Sequence, residues 1–285
     1  MTEIWLPLAL GATLAWGVGQ IAAKKGSTIL GPRKMVAIVS LGEAAFFLAF
    51  YVGYGAEPLV DFHGALLGIA AGLTGMLGYV VYYEAIARGT ISRVGTITAA
   101  YPAVTVVLAV VILAEAFTPL QGIGVVLLLG SAVLLGQAER RKIGGTGTSI
   151  TLLIILAFLL WGVWGFLVKL AVSRLGEGPI FLYFALANGL IGFSLYRRRP
   201  RMAHRGGGMS AWAWPAMAMV CGASGVILLT LALAVGPAAL VTPVTGAYPV
   251  VTVLLAGPAL LERLGKLEVL AFLTFILGIF AVALS

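Results

Sequence analysis

The sequence is poor in what a soluble enzyme relies on. Charged residues fill only 10% of its 285 positions, against roughly 25% in a soluble domain. Such a chain cannot cover its surface with charge, so water is not its main solvent. It has one cysteine, Cys221, which excludes an internal disulfide. It has one aspartate, Asp61, and two widely separated histidines, His63 and His204. That is too few for a metal cage or a catalytic carboxylate pair. No metal or cofactor is therefore expected. A membrane-embedded enzyme such as a lipid transferase, which needs clustered Asp, His or Glu near the interface, is disfavoured. A GxxxxGK[ST] phosphate-binding loop is also missing, so the chain carries no ATPase of that kind. No basic segment precedes the first apolar run, and the stretch from Trp5 onward reads as a span and not as a signal peptide.

What the sequence has in abundance is apolar length: 61% of it is hydrophobic. A membrane-crossing helix needs about 20 mostly apolar residues. Ten such segments are expected, near 4–24, 35–55, 63–86, 91–113, 119–137, 150–173, 179–196, 211–235, 238–261 and 267–284. Lipid leaves no loose backbone group satisfied, and no alternating pattern suggests a barrel, so the segments read as helices. Glycine, 38 residues in all, runs through them, as in "GIAAGLTGMLG" from Gly68 to Gly78; small residues let membrane helices approach closely. The fold class is all-α, a polytopic membrane protein with the lipid bilayer as its partner.

The formal charge is +8. The basic residues are not a nucleic-acid patch, because they follow the spans. Counting the link between the first two spans as the first, sixteen of the eighteen Lys and Arg fall at odd-numbered links, and only Lys169 and Arg174 at even ones. The positive-inside rule then puts the odd links in the cytoplasm and both termini outside, in the plasma membrane. The basic run from Arg197 to Arg205 reads as a cytoplasmic link held by anionic headgroups.

One phrase occurs twice. "TAAYPAVTVVLAVVILAE" runs from Thr98 to Glu115, and "TGAYPVVTVLLAGPALLE" from Thr245 to Glu262. Across Ala85–Glu115 and Ala232–Glu262, 15 of 31 positions are identical. "WGVGQIAAK" at Trp16 and "WGVWGFLVK" at Trp161 extend the similarity to the start of each half. Two repeats of five spans follow, over 1–143 and 144–285. Five is odd, so the second copy enters the membrane from the opposite side, an arrangement common in secondary transporters.

The repeated residues supply site candidates. Pro102 and Pro249 cannot donate a backbone hydrogen bond and clash with the carbonyl four residues back, so each is expected to kink its helix. Thr98 and Tyr101, and their copies Thr245 and Tyr248, share a face with Thr105 and Thr252, and are expected to line a central cavity. Trp16 and Gln20 on the first span, Trp161 on the sixth, Tyr79 and Tyr82 on the third and Asn188 on the seventh complete the expected binding set. Glu43 and Glu84 lie within spans, where a carboxylate is expensive and usually functional; they are the candidates for carrying a coupling proton. At an offset of 147 neither is matched in the other half, where Leu190 and Leu231 stand. Lys169 reads as snorkelling to the interface or as a cationic lid. Glu115 and Glu262 are expected to tie down the turns that follow them.

Taken together, Ala85, Ala87 and Gly89, then Tyr101-Pro102, then Glu115, with a second copy at Ala232, Ala234, Gly236, Tyr248-Pro249 and Glu262, resemble the ten-helix EamA-type members of the drug/metabolite transporter superfamily. The resemblance implies a basket of ten helices around a cavity lined by spans one, three, four, six, eight and nine. It implies transport of a small molecule, with export of amino-acid-like or other metabolites favoured over carbohydrate uptake. The first and sixth spans lack the carboxylate that the four-helix multidrug members carry there. A passive channel would more often show a pore helix or a ring of like charges.

Overall fold

The computed structural model describes residues 4–54, 56, 61–88, 94, 98–116, 118–143, 148–198, 210–260 and 265–283. Because hydrocarbon offers a backbone amide no partner but its own chain, these residues are helical almost throughout, with no strand among them. The helices are α1 (Trp5–Leu30), α2 (Pro32–Gly53), α3 (Phe62–Arg88), α4 (Pro102–Leu113), α5 (Pro119–Ile143) and α6 (Thr148–Leu175). They continue with α7 (Ile180–Arg197), α8 (Ser210–Val235), α9 (Ala238–Gly246), α10 (Tyr248–Leu260) and α11 (Lys266–Ala283). The pair α9–α10 is a single broken span, which makes ten spans in all. Seven of the spans are long and apolar enough to cross a membrane, and α4 and the Pro119–Leu134 part of α5 are shorter apolar helices. The most exposed large side chains, Val111, Phe62, Val126 and Leu190 among them, are apolar and face outward, as lipid-facing positions should.

The links are tighter than the hydropathy suggests. Helix α1 runs on through Lys24 and Lys25 to Leu30, and Gly31 alone separates it from α2. That residue has φ +82°, a conformation that costs glycine little and other residues much. Gly176, 145 positions later, ends α6 in the same conformation, with φ +81°. Long basic side chains at the end of α1 reach back to the interface. Lys25 Nζ lies 4.1 Å from the ring centre of Trp214 and Lys34 Nζ 5.9 Å from that of Trp212. At the same end Arg33 pairs with Glu84 at 3.1 Å. At the opposite end Arg174 meets Asp61 at 3.3 Å, and the Tyr54 hydroxyl donates to Glu177. Desolvation opposes ionisation of Asp61, but hydrogen bonds from the Gly64 amide, Arg174 and the His63 amide, with the Arg174 charge, together outweigh it and hold the carboxyl below its usual range.

The two repeats interlock. The most extensive contacts are α1 with α8, α3 with α6, α2 with α7 and α5 with α11. Each of these pairs joins one repeat to the other, and each repeat's first helix packs on the other's third. The same relation holds atom by atom. Thr105 Oγ1 donates to the Gly162 carbonyl at 2.7 Å, and Thr252 Oγ1 to the Gly17 carbonyl at 3.0 Å. Each glycine sits under a valine, Gly17 under Val251 and Gly162 under Val104. On the fifth helices Gly124 and Gly278 let α5 and α11 approach until a methyl on either would press on the other's carbonyl. These are the close contacts that small residues permit where no hydrophobic effect drives helices together. The inverted five-helix repeat is thus visible both in the order of elements and in the contacts they make.

Candidate functional site

A cavity lies where the repeats meet, the kind of place between helices where small-molecule pockets form. Its walls come from α1, α2, α3, α6, α7 and α8, and from the breaks that precede α4 and α10. The prolines create those breaks by interrupting their spans outright. Pro102 opens α4, with Tyr101 as its N-cap. Pro249 is the second residue of α10, after α9 has ended at Gly246. Tight turns take up the local amides: Tyr101 N donates to Thr98 O at 3.0 Å, and Ala247 N to Val244 O at 3.3 Å. The two breaks touch each other, since a methyl at Gly246 would overlap the Pro102 ring. Both tyrosines, Tyr101 and Tyr248, therefore project from the meeting point of the halves into the cavity.

Tryptophan completes each half-site with material from the opposite repeat. Trp16 meets Tyr248 edge-on at 6.1 Å and 79°. Trp161 meets Tyr101 edge-on at 6.3 Å and 70°. Such edge-to-face pairs add about 0.5–1.5 kcal/mol beyond burial. The indole N–H groups are spent in the same mirrored way, Trp16 Nε1 on the Gly222 carbonyl at 3.4 Å and Trp161 Nε1 on the Gly75 carbonyl at 3.3 Å. Glycines make room for the rings: a methyl on Gly225 would overlap Trp16, and one on Gly78 would overlap Trp161. "GMLG" on α3 and "GASG" on α8 are thus the notches that seat the two indoles.

Around this mirrored frame stand the less symmetric residues. Gln20, Tyr79 and Asn188 line the cavity. Tyr82 stands behind it, donating to Gln20 Oε1 at 3.2 Å and lying 5.0 Å from the Trp161 ring. Thr98 and Thr245 are fully buried beneath the breaks and outside the lining. Their hydroxyls donate to their own helices, to Val94 O at 2.8 Å and Thr242 O at 3.1 Å. Trp164, Phe47, Met76, Phe184 and Val226 also line the cavity and went unremarked in the sequence. For Trp164 the signal was present, in the second tryptophan of "WGVWG".

The two candidate carboxylates separate cleanly. Glu84 lies toward one membrane face, paired with Arg33, and does not line the cavity. Glu43 is buried and lines it. Its Oε1 points at Gly222 on α8 and has no hydrogen-bond partner among the described residues. The same is true of Asn188 Oδ1, whose amide nitrogen is spent on the Phe184 carbonyl at 3.0 Å. These two residues occupy corresponding places. Gly42 of α2 faces Met219 of α8, and Ala187 of α7 faces Gly72 of α3. That mirrored packing sets Asn188 opposite Glu43, at the offset of 145 that also relates Trp16 to Trp161; Leu190, its match at 147, is exposed.

Lys169 is not a lid. Its Nζ donates to the carbonyls of Leu233 and Gly236, both at 2.8 Å, closing the end of α8. Beside it Glu115 accepts from the amides of Ala238 and Ala239 at 2.9 and 2.8 Å, capping α9 across the repeat boundary. Glu262, its copy, lies outside the described residues.

These spans define an integral membrane protein with an interior cavity shared by its two repeats. The EamA-like transporter family model matches the chain twice, over residues 3–137 and 148–284. The chain belongs to this family of membrane transporters of small solutes. Among solved structures, a protein crystal structure aligns over 100% of this chain and 98% of its own, with a TM-score of 0.78 at 19% identity, which shows the shared fold. No curated protein matches the chain.

Proposed function

We propose that the chain is a secondary transporter that exports amino-acid-like or other small metabolites across the plasma membrane by alternating access. The observation that carries this reading is the mirrored cavity, where each repeat supplies a tryptophan against the other's break tyrosine. A site on the pseudo-two-fold relation between inverted repeats is presented equivalently to either side by a small rearrangement. The packing supports one division into moving units. Because α1 is locked to α8 and α3 to α6, the two sequence halves cannot rock past each other as rigid bodies. The motion falls instead between an α1–α8 unit and an α3–α6 unit, with the cavity at their seam. On the end held by Glu115 and Lys169 this seam is latched: both reach from the α4–α6 side to the α8–α9 turn. In this reading Glu43, the one carboxylate lining the cavity among the described residues, carries the coupling proton, and the end bearing Lys25, Arg33 and Lys34 faces the cytoplasm with both termini outside.

Flux measured in proteoliposomes tests the proposal. A metabolite that stabilises the purified protein against heat should show saturable uptake and counterflow. Trp16→Ala and Trp161→Ala should each reduce that flux at least tenfold. Flux that rises linearly without saturation would indicate a channel and contradict the reading.

A further inference from the structure

Three buried polar atoms in the cavity lining have no hydrogen-bond partner among the described residues: Glu43 Oε1, Asn188 Oδ1 and the Tyr101 hydroxyl oxygen. The first two are acceptors, and a hydroxyl accepts as well as donates. The orientation of Asn188 is fixed by the bond from its nitrogen to Phe184 O. Two of the three indole N–H groups, those of Trp16 and Trp161, are held by glycine carbonyls. The amides at the two breaks are bonded as well, Ala103 and Val104 to Ala100 and Tyr101, and Val250 to Ala247. The broken helices therefore offer an anion no free N-terminus. Among the described residues no Lys, Arg or His lines the cavity, and Lys169 is committed to the end of α8. What remains is neutral: the Gln20 amide, the Trp164 indole and tyrosine hydroxyls. The rest of the wall is largely aromatic, from Trp16, Trp161, Trp164, Tyr79, Tyr101 and Tyr248. A cation over an aromatic face gains about 0.5–2 kcal/mol, more as it is desolvated.

We propose that the solute this cavity takes is a small protonated amine, whose ammonium N–H groups donate to Glu43 Oε1 and Asn188 Oδ1 while its apolar body lies among the rings. This inference rests on the transport reading above. The empty site keeps Glu43 as the acid, because a lone charge buried in hydrocarbon is costly. On entry of the amine the Glu43 O–H bond breaks, its proton leaves to water on the side of entry, and the carboxylate pairs with the ammonium. One positive charge replaces one proton, so exchange across the membrane is electroneutral. The other titratable groups around Glu43 are few. Tyr79 and Tyr83 face it from α3, and Tyr101 and Tyr248 stand at the breaks. α7 presents Asn188, α1 presents Trp16 and Gln20, and Cys221 of α8 turns toward Gly19 of α1. Glu43 is the carboxylic acid of this set, the others being phenols and a thiol.

Calorimetric titration of the full-length protein with benzylamine tests this, run in two buffers of different ionisation heat. Benzyl alcohol, benzoate and phenylalanine serve as neutral, anionic and zwitterionic counterparts. We expect benzylamine to bind at least tenfold more tightly than any of the three. Binding should release about one proton on the acidic side, where affinity falls about tenfold per pH unit. Glu43→Gln should weaken binding at least tenfold and abolish proton release. Asn188→Leu should weaken binding yet retain the release, which keeps the test decisive should Glu43→Gln fail to fold. Equal binding of benzoate or benzyl alcohol, or proton release that survives Glu43→Gln, would overturn the proposal. Proteoliposomes separate the two ideas. Benzylamine that binds with proton release but moves no protons, relative to protein-free vesicles, contradicts transport and leaves the amine site standing. Saturable flux of benzoate or phenylalanine without benzylamine leaves transport standing and overturns the amine site.

Discussion

The Oε1 atom of Glu43 lies so close to Gly222 that a side chain at position 222 would occupy the same space. The same glycine's carbonyl holds the indole of Trp16. One residue of α8 thereby sets the positions of a carboxylate from α2 and a ring from α1. Gly222→Ala should push the flexible Glu43 side chain aside without collapsing the fold. Overpacking of this kind costs about 1–3 kcal/mol, so the variant should remain folded in a thermal melt while losing at least tenfold in solute binding.

Position by position, the glycine notches should differ from glycines in open space. Gly225→Val and Gly78→Val place methyls where Trp16 and Trp161 stand, and each should cut flux at least tenfold. Gly130 has nothing within 4 Å of the place a methyl would take. Gly130→Ala should leave flux unchanged and raise stability by up to about 0.5–1 kcal/mol, since alanine is the better helix former. Parallel melts and flux assays on the three variants distinguish seated rings from general intolerance of substitution.

Thr105 and Thr252 make equivalent bonds to the facing helix. Thr105→Val and Thr252→Val keep the shape and remove the donor. Interhelical hydrogen bonds in membranes contribute about 0.6–1.7 kcal/mol, so each variant should lose stability in that range on unfolding. A loss confined to one of them would break the proposed equivalence of the halves.

Glu115 accepts from two successive amides at the start of α9. Glu115→Ala removes a cap of a kind worth about 0.5–2 kcal/mol and loosens the latch between α4 and α9. Faster hydrogen exchange at Ala238 and Ala239 than in the rest of α9 is expected; unchanged exchange there would contradict the capping role.

Much of this architecture was legible in the sequence, for physical reasons. Hydrocarbon permits few alternatives to a long apolar helix, so the spans could be read from composition. Tyr101-Pro102 and Tyr248-Pro249 stood out because two copies of a polar ring beside a helix-breaking residue are unusual in lipid. Glu43 stood out because an ionisable group in a span needs a reason. The apolar rings of Phe47, Phe184 and Trp164 did not, since the same residue types also face lipid. Thr98 and Thr245 share the helical spacing of a lining, but a threonine in a helix readily bonds the carbonyl a turn back, as both do. The correspondence of Glu43 with Asn188 was hidden because the offset between the halves is 145 in some helices and 147 in others. The spent donors and vacant acceptors of the cavity belong to tertiary packing and have no trace in residue order.

Alternating exposure of one shared cavity is the central claim, and labelling of position 188 tests it most directly. With Cys221 replaced by alanine, Asn188→Cys places a thiol in the cavity lining, and Val126→Cys places one on the exposed outer surface. A charged, membrane-impermeant thiol reagent is applied to oriented proteoliposomes from outside or from the lumen. The account predicts that the thiol at 188 reacts from either side, with a saturating solute slowing both reactions, and that the thiol at 126 reacts from neither. Reaction at 188 from one side only, or none at all, would contradict it.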